Sequence, residues 1–535
     1  MLLSFIINFI ITLFFFSSIT SLGFITNNKF IKLNTQNYFE NFIIGIFVLI
    51  LYLEIHLFFF KIDFIHTIHI FIILVFSLFY TSKEFRFNKE IIIIFLLLIL
   101  LLLNSDRYPY YNYIFDFGYY HNGYVNWLNQ SNLVLGLANL HPSYGYTGNS
   151  FLLGSFFNIY PIFENGYVYT TIIFFLFYIC FLFCELKKKI NFFKKFFLIF
   201  SSYVILKYIF EEPLGDYSPY KINLILYFYI FYKLISFLNI KINSINDFYF
   251  IILTLSVLIS FSPLSWSFAG IIVIFFVVKY TKYFFNKVTV ICIFYISIFF
   301  LVNLLKSGHL LYPLQINYIA TDYALNYDFL YHIKNFPKNY LPGLEWVVPW
   351  FKSRFITNSF CLLYSLLLFL SIILVNFKKI NKDKNFLKFL YLLLIINILI
   401  IFWFFNTPDI KTGKIMFWTG IVLISSFIYS IFAEKFESIF NKFISFINIQ
   451  SLIFIFFLLV SFISSLDNLI FFKEKVAKKD VINNFPTKKI IQLNDKYSIK
   501  LKSLNYSNDN FTTTHENFDL ENLKYNNGFF KIIFF

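Results

Sequence analysis

Residues 90–127 read EIIIIFLLLILLLLNSDRYPYYNYIFDFGYYHNGYVNW. An almost purely aliphatic run breaks off at Asn104, and a polar, aromatic stretch follows in which Arg107 is the only base. The first part is built to cross a bilayer as a helix. The second has no place in hydrocarbon, where its polar groups would lack partners. It continues as LNQSNLVLGLANLHPSYGYTGNSF to residue 151 and on to Gly166, with no further Lys or Arg. In a chain with 44 Lys and Arg, so long a segment with one base marks a loop on the side away from the cytoplasm.

The rest of the chain agrees. Hydrophobic residues make up 59%, charged residues 13%, and the mean hydropathy is +0.71. A soluble domain carries roughly 25% charged residues. Apolar runs recur from end to end, so the chain reads as a helical membrane protein and not as a barrel of alternating strands. The net charge of +16 does not imply a nucleic-acid partner, because the lysines cluster where short cytoplasmic loops carry them. Cys180, Cys184, Cys292 and Cys361 all lie inside apolar runs and read as core residues, not ligands or disulfides. The N-terminal run lacks the basic start of a signal peptide and reads as a retained first helix.

Taken in order, runs at 41–60 and 64–80 form a hairpin around Lys61 and Asp63, and basic turns follow at 81–90 and 187–195. A second long external region spans 306–356 and is rich in Pro, Tyr and Trp. Counting runs near the ~20-residue length of a span gives about 14 crossings, with both ends external. The expected fold is an all-α polytopic membrane protein. Residues 1–471 form the transmembrane domain, with external loops at 104–166 and 306–356. Residues 472–535 form a small polar external tail with strand-like runs at KKIIQL, YSIKLKSL and GFFKIIFF.

Candidate chemistry concentrates in the two loops. Asp116 suits either the cap of a helix starting at Gly118 or a carboxylate base reaching an acceptor hydroxyl. His121 and Tyr124 share one face of a short helix, with Trp127 a turn further on. These could hold a phosphate or sugar hydroxyl and stack on a sugar ring. His141, Asn149 and Ser150 offer hydrogen bonds to a polar substrate or to a turn network. In the second loop, His309, Lys352 and Arg354 are cations beside Trp346 and Trp350, suited to a lipid-linked phosphate whose tail stays in the bilayer. Glu211, Glu212 and Asp216 are acids on the same side that could hold a divalent cation. The sequence names no cofactor and no metal ligand set. His66 and His69, three apart at a helix mouth, read as interfacial polar residues. Phosphate-binding GxxxxGK, GxGxxG, HExxH and GxSxG are all absent from the sequence, which disfavours common ATPase, protease and lipase chemistry.

Asp116, Gly118, Tyr120, His121 and Trp127, then GLANLH at 136–141 and Asn149-Ser150 eight residues on, resemble a family of bacterial polytopic proteins found among surface-polysaccharide genes. SGHLLYP at 307–313, with the Trp-containing loop ahead of WFKS at 350–353, resembles that family's second loop. The resemblance covers most of the membrane part and little of the tail. In plan the family is similar to GT-C glycosyltransferases, which have many spans, an early external loop with an essential acid, and a polyprenyl-phosphate-linked sugar donor. The resemblance implies that Asp116 is the catalytic acid. It also implies a bacterial inner-membrane enzyme with its active face external, acting on a glycan or lipid acceptor. This chain departs from that plan in two ways: about three spans precede the acidic loop instead of one, and the loop has no adjacent acidic pair. A polysaccharide polymerase, or a flippase for lipid-linked saccharides, fits the same substrates. A flippase calls for ionisable residues near mid-membrane, and the runs hold few apart from Glu54 and His56.

Overall fold

The computed structural model describes residues 2–35, 37–82, 102, 121–139, 142–146, 148–163, 166–211, 219–238, 244–314, 338, 341–375, 384–406, 408–435, 487–492, 498–502, 523–526 and 529–532. Asp116, His141, Glu212, Asp216, nearly all of the run at 90–103, the run at 450–466 and most of the tail lie outside them.

The described apolar runs are helices, because a helix satisfies its own backbone where water is absent. In chain order they begin with α1 (Leu2–Thr26), α2 (Asn41–Leu57) and α3 (Phe64–Thr81). Three short helices follow: α4 (Asn122–Gln130), α5 (Pro142–Tyr146) and α6 (Asn149–Phe157). Then come α7 (Gly166–Leu186), α8 (Phe192–Glu211), α9 (Pro219–Phe237), α10 (Ser244–Phe261), α11 (Trp266–Tyr280) and α12 (Lys287–Ser307). The set closes with α13 (Val347–Trp350), α14 (Ser359–Val375), α15 (Lys384–Asn406) and α16 (Ile410–Lys435). Among the described residues, eight helices are long and apolar enough to cross a membrane. There are nine if residues 347–355 and 359–373, bent by 101° at their junction, count as one broken span. In the tail, β1 (Thr487–Gln492) pairs antiparallel with β2 (Ser498–Lys502), and β3 (Leu523–Asn526) with β4 (Phe529–Ile532).

α9 is buried along nearly its whole length and forms the centre of the bundle with α7. The outer helices instead expose apolar side chains: Ile65, Phe76 and Phe79 on α3, Val278 on α11, and Phe369 on α14. Such faces are stable against lipid and not against water. α1 and α2 approach closely enough that a Cβ on Gly45 would sit 2.0 Å from the Ile19 carbonyl oxygen. Hydroxyls tie α1 to α3, with Thr81 Oγ1 donating to Ser21 Oγ (2.7 Å) and Ser77 Oγ to the Ser18 carbonyl (3.2 Å). Cys180, Cys292 and Cys361 are buried and Cys184 partly so, all as free thiols.

The loops gather into two sets, the same two that the lysines separate. At the lysine-rich end, Lys287 Nζ donates to the Phe30 carbonyl (2.5 Å) and Lys188 pairs with Glu185 (2.5 Å). At the other end, backbone bonds run from Ile62 N to Leu128 O (2.8 Å), Phe64 N to Tyr160 O (2.8 Å) and Gly136 N to Leu305 O (3.0 Å). One expectation is overturned: Glu54 and His56 are not nearly alone, since the run at 221–238 itself holds Lys221 and Lys233 and the helix ends add further buried ionisable groups. Glu185, Lys221, Lys233, Asp247 and Lys306 are also buried. Near the lysine-rich end, Lys233 lies 2.5 Å from Glu40 and 3.1 Å from Asp247, all three buried. Tyr232 OH donates to Glu185 beside them (2.7 Å).

Candidate functional site

The loop end is built on a short turn. Asp63 ends it and caps α3, its carboxylate accepting from His66 N (2.8 Å) and pairing with Lys61 (2.9 Å) and the His66 ring (2.6 Å). Burial alone would raise the Asp63 pKa, but these hydrogen bonds outweigh it and hold the carboxyl below its ordinary value. The turn is clasped by the first loop. Asn129, fully buried, donates to the Ile62 carbonyl (2.5 Å) and to Ser155 O (3.0 Å), and accepts from Asn158 Nδ2 (3.0 Å). Asn129 is therefore a structural staple, although its Asn-X-Ser context has the form of a glycosylation site.

This frame fixes α4 and α6 over the ends of α2 and α12. Gly148, just before α6, packs so tightly that a Cβ would lie 2.1 Å from the Phe261 carbonyl oxygen. The fit aims the Asn149 side chain inward. Its Nδ2 donates to Glu54 Oε1 (2.8 Å) and to Tyr295 OH (3.3 Å), and Tyr295 OH also bonds Ser260 Oγ (2.5 Å). On the neighbouring face, Lys306 Nζ donates to Tyr124 OH (3.2 Å) and sits 5.2 Å from the centre of its ring. Lys306 also lies within electrostatic reach of Glu54. Phe151 links the two halves, its ring 5.0 Å from His121 and 5.9 Å from Tyr124. Glu54 and Lys306 are 1% and 2% exposed. A carboxylate, a cation, two phenols and an amide thus meet where charges interact strongly.

The sequence candidates divide. His121, Tyr124 and Asn149 come together in this group. Trp127 is half-buried against the core on the same helix. His309 is buried just beyond α12, its backbone N–H donating to Ser307 Oγ (3.2 Å) and its ring 6.2 Å from that of Tyr312. Trp346 and Trp350 lie elsewhere, packed on the α15–α16 turn. Trp350 Nε1 donates to the Pro408 carbonyl (2.7 Å), and Phe404 lies 5.0 Å from Trp346 and 4.9 Å from Trp350. Both indoles are buried, so little ring face is open to stack on a sugar. Lys352 and Arg354 are exposed on the π-helical turn Phe351–Phe355. His66 turns to Asp63 and His69 to the Tyr52 hydroxyl. Among the described residues no group of three or more His, Cys, Asp or Glu converges to hold a metal ion.

Glu54 and Lys306 are the acid and the base of the group, and neither was among the expected site residues. Glu54 was legible as an ionisable residue inside an apolar run, which makes it a functional candidate by default, whereas Lys306 stood at the edge of the second external region. Searches of curated proteins and of solved structures give no match to this chain. A family model matches residues 1–413, a span that contains every residue of the group just described. The chain belongs to the family described as Domain of unknown function (DUF8201).

Proposed function

We propose that the protein is a membrane glycosyltransferase that uses a polyprenyl-phosphate-linked sugar donor in cell-surface polysaccharide or glycolipid synthesis. The observation that carries the reading is the buried Glu54–Asn149–Tyr295 and Lys306–Tyr124 group beneath α4, the helix that begins shortly after Asp116. In this reading the chain has a GT-C-like plan of about 14 spans in a bacterial inner membrane. The loop end faces outward and the lysine-rich end faces the cytoplasm, as positive charge favours. The acceptor oxygen attacks the anomeric carbon. The bond from that carbon to the phosphate oxygen breaks, and polyprenyl phosphate leaves with the electron pair. Asp116 takes the acceptor proton, and His121 and Lys306 stabilise the leaving phosphate. Exposed Lys352 and Arg354 attract the lipid phosphate at the membrane edge.

A flippase gains some ground, since more charges are buried than the sequence reading counted. They sit at the two ends of α2, however. Residues 42–53 between Glu40 and Glu54 carry no Asp, Glu, Lys, Arg or His, over roughly 16 Å of helix rise. A transport path calls for polar groups in that middle.

The test is deletion of the gene, structural analysis of the surface glycan, and complementation with wild type or Asp116→Asn. The expected result is an altered glycan that wild type restores and Asp116→Asn does not. Full restoration by Asp116→Asn removes the catalytic assignment, and an unchanged glycan on deletion removes the transferase.

A further inference from the structure

Glu54 of the group, and Asn303 on the neighbouring α12, have hydrogen-bonding atoms without partners among the described residues. Glu54 uses Oε1 for Asn149, while Oε2 is buried and makes no hydrogen bond. Asn303 on α12 is fully buried, and both its Oδ1 and its Nδ2 are unpartnered. Native proteins pair nearly all such atoms, because each costs free energy when left unmade.

The two lie at one depth. α2 and α12 both run toward the loop end, and the Phe47 and Tyr295 rings meet at 4.7 Å. Glu54 is seven residues beyond Phe47 and Asn303 eight beyond Tyr295. At about 1.5 Å per residue the two side chains start within ~2 Å of the same level. Tyr295, Phe299, Asn303 and Lys306 form the buried stripe of α12, so Asn303 lies on the packed face of the helix one turn below Lys306.

We propose that Glu54, Asn149, Tyr295 and Asn303 form a binding site for an uncharged, hydroxyl-bearing ring, the sugar portion of a substrate. The unmet valences select this chemistry. Glu54 Oε2 asks for a hydroxyl partner in either protonation state, Asn303 Nδ2 for an acceptor and Asn303 Oδ1 for a donor, and vicinal hydroxyls supply all of these. A bare metal cation would satisfy the oxygens but leave the amide donor unmet, and Lys306 close by would oppose it. An anion, which only accepts, would leave Asn303 Oδ1 without a donor. The assignment rests on the transferase reading for its substrate, though not for its geometry.

The test uses the full-length protein in lipid nanodiscs and saturation-transfer NMR. The probes are the methyl glycosides of glucose, galactose and N-acetylglucosamine. Wild type is expected to saturate at least one of them. Asn303→Leu and Glu54→Ala are each expected to bind it about tenfold more weakly. Asn303→Leu is the cleaner variant, since replacing an unpartnered buried amide with an apolar group of similar size leaves the fold intact or firmer. Ser426→Ala, which alters a hydroxyl bonded only within its own helix, keeps full binding. Saturation of none of the three glycosides, or wild-type binding by a folded Asn303→Leu, overturns the site. So does a thermal stabilisation by NaCl over choline chloride without glycoside binding, which would assign the atoms to a cation. If glycoside binding is lost in Asn303→Leu but gene deletion leaves the surface glycan unchanged, the sugar site stands and the transferase falls. An altered glycan without glycoside binding gives the reverse.

Discussion

Replacing Lys233 by Met should destabilise the protein more than any other single change at the lysine-rich end. The ammonium lies 2.5 Å from Glu40 Oε1 and 3.1 Å from Asp247 Oδ1, and its side chain is 1% exposed. It also sits 5.1 Å from the centre of the Phe250 ring. Without it, two buried carboxylates face each other with no counter-charge. Removing one partner of a buried pair costs about 3–5 kcal/mol, most of which is the uncompensated charge and not the lost attraction. The triple change Lys233→Met, Glu40→Gln and Asp247→Asn leaves no charge stranded and should recover most of that loss. The assay is the fraction of monodisperse protein surviving a heat ramp in nanodiscs, read by size exclusion for wild type, single and triple variants. The expected order is wild type, then triple, with the single variant well below both. If Lys233→Met survives heating as wild type does, the ion group is not formed in the membrane and the argument fails.

Asp63→Ala should cost about 0.5–2 kcal/mol by removing the cap of α3. The folded pKa of Asp63 is lowered, so its contribution is complete above the unfolded value of about 3.9 and is lost as pH falls through the folded value. Heat survival of wild type and variant should therefore differ at pH 7 and converge as the medium is acidified toward the folded-state pKa. A gap that persists in strong acid would contradict a charged cap. Trp350→Phe removes the donor to the buried Pro408 carbonyl and should cost about 1–3 kcal/mol, measured by the same heat ramp. It should leave binding of the glycoside probes unchanged, and a loss of binding would return Trp350 to the substrate site. Gly148→Ala puts a methyl 2.1 Å from the Phe261 carbonyl oxygen and must shift α6, carrying Asn149 off Glu54. Its glycoside binding should fall even where heat survival is only modestly reduced.

Much of the helical plan could be read from hydropathy, because a bilayer leaves a long apolar run no other structure. The grouping of loops followed lysine content for the same reason, one force acting on every crossing. Partnerships between distant residues were not legible. Lys233 and Glu40 are 193 residues apart, and nothing near either one names the other. His121, Tyr124 and Asn149 stood out because they sit in a loop poor in charge, where polar types are informative. Glu54 was passed over as a lone exception in its run and Lys306 as the first residue of a long loop, and only the packing of α2 beside α12 shows that they belong together. Trp346 and Trp350 misled in the other direction. An indole at a membrane edge reads as a stacking surface, while its N–H also suits it to close a turn, and the Pro408 carbonyl took Trp350 for the second purpose.

The contact at Gly45 bears on how the protein enters the membrane. The seam between α1 and α2 is backbone against backbone, with Gly23 as tight against the Asn41 carbonyl as Gly45 is against that of Ile19. Such a seam needs nothing from later helices, so it can close once α2 has left the ribosome. The carboxylates near the two ends of α2 have no such independence. Glu54 waits for Asn149, and Glu40 waits for Lys233. A chain truncated before α6 would keep the apolar hairpin and leave Glu54 and Glu40 without these partners.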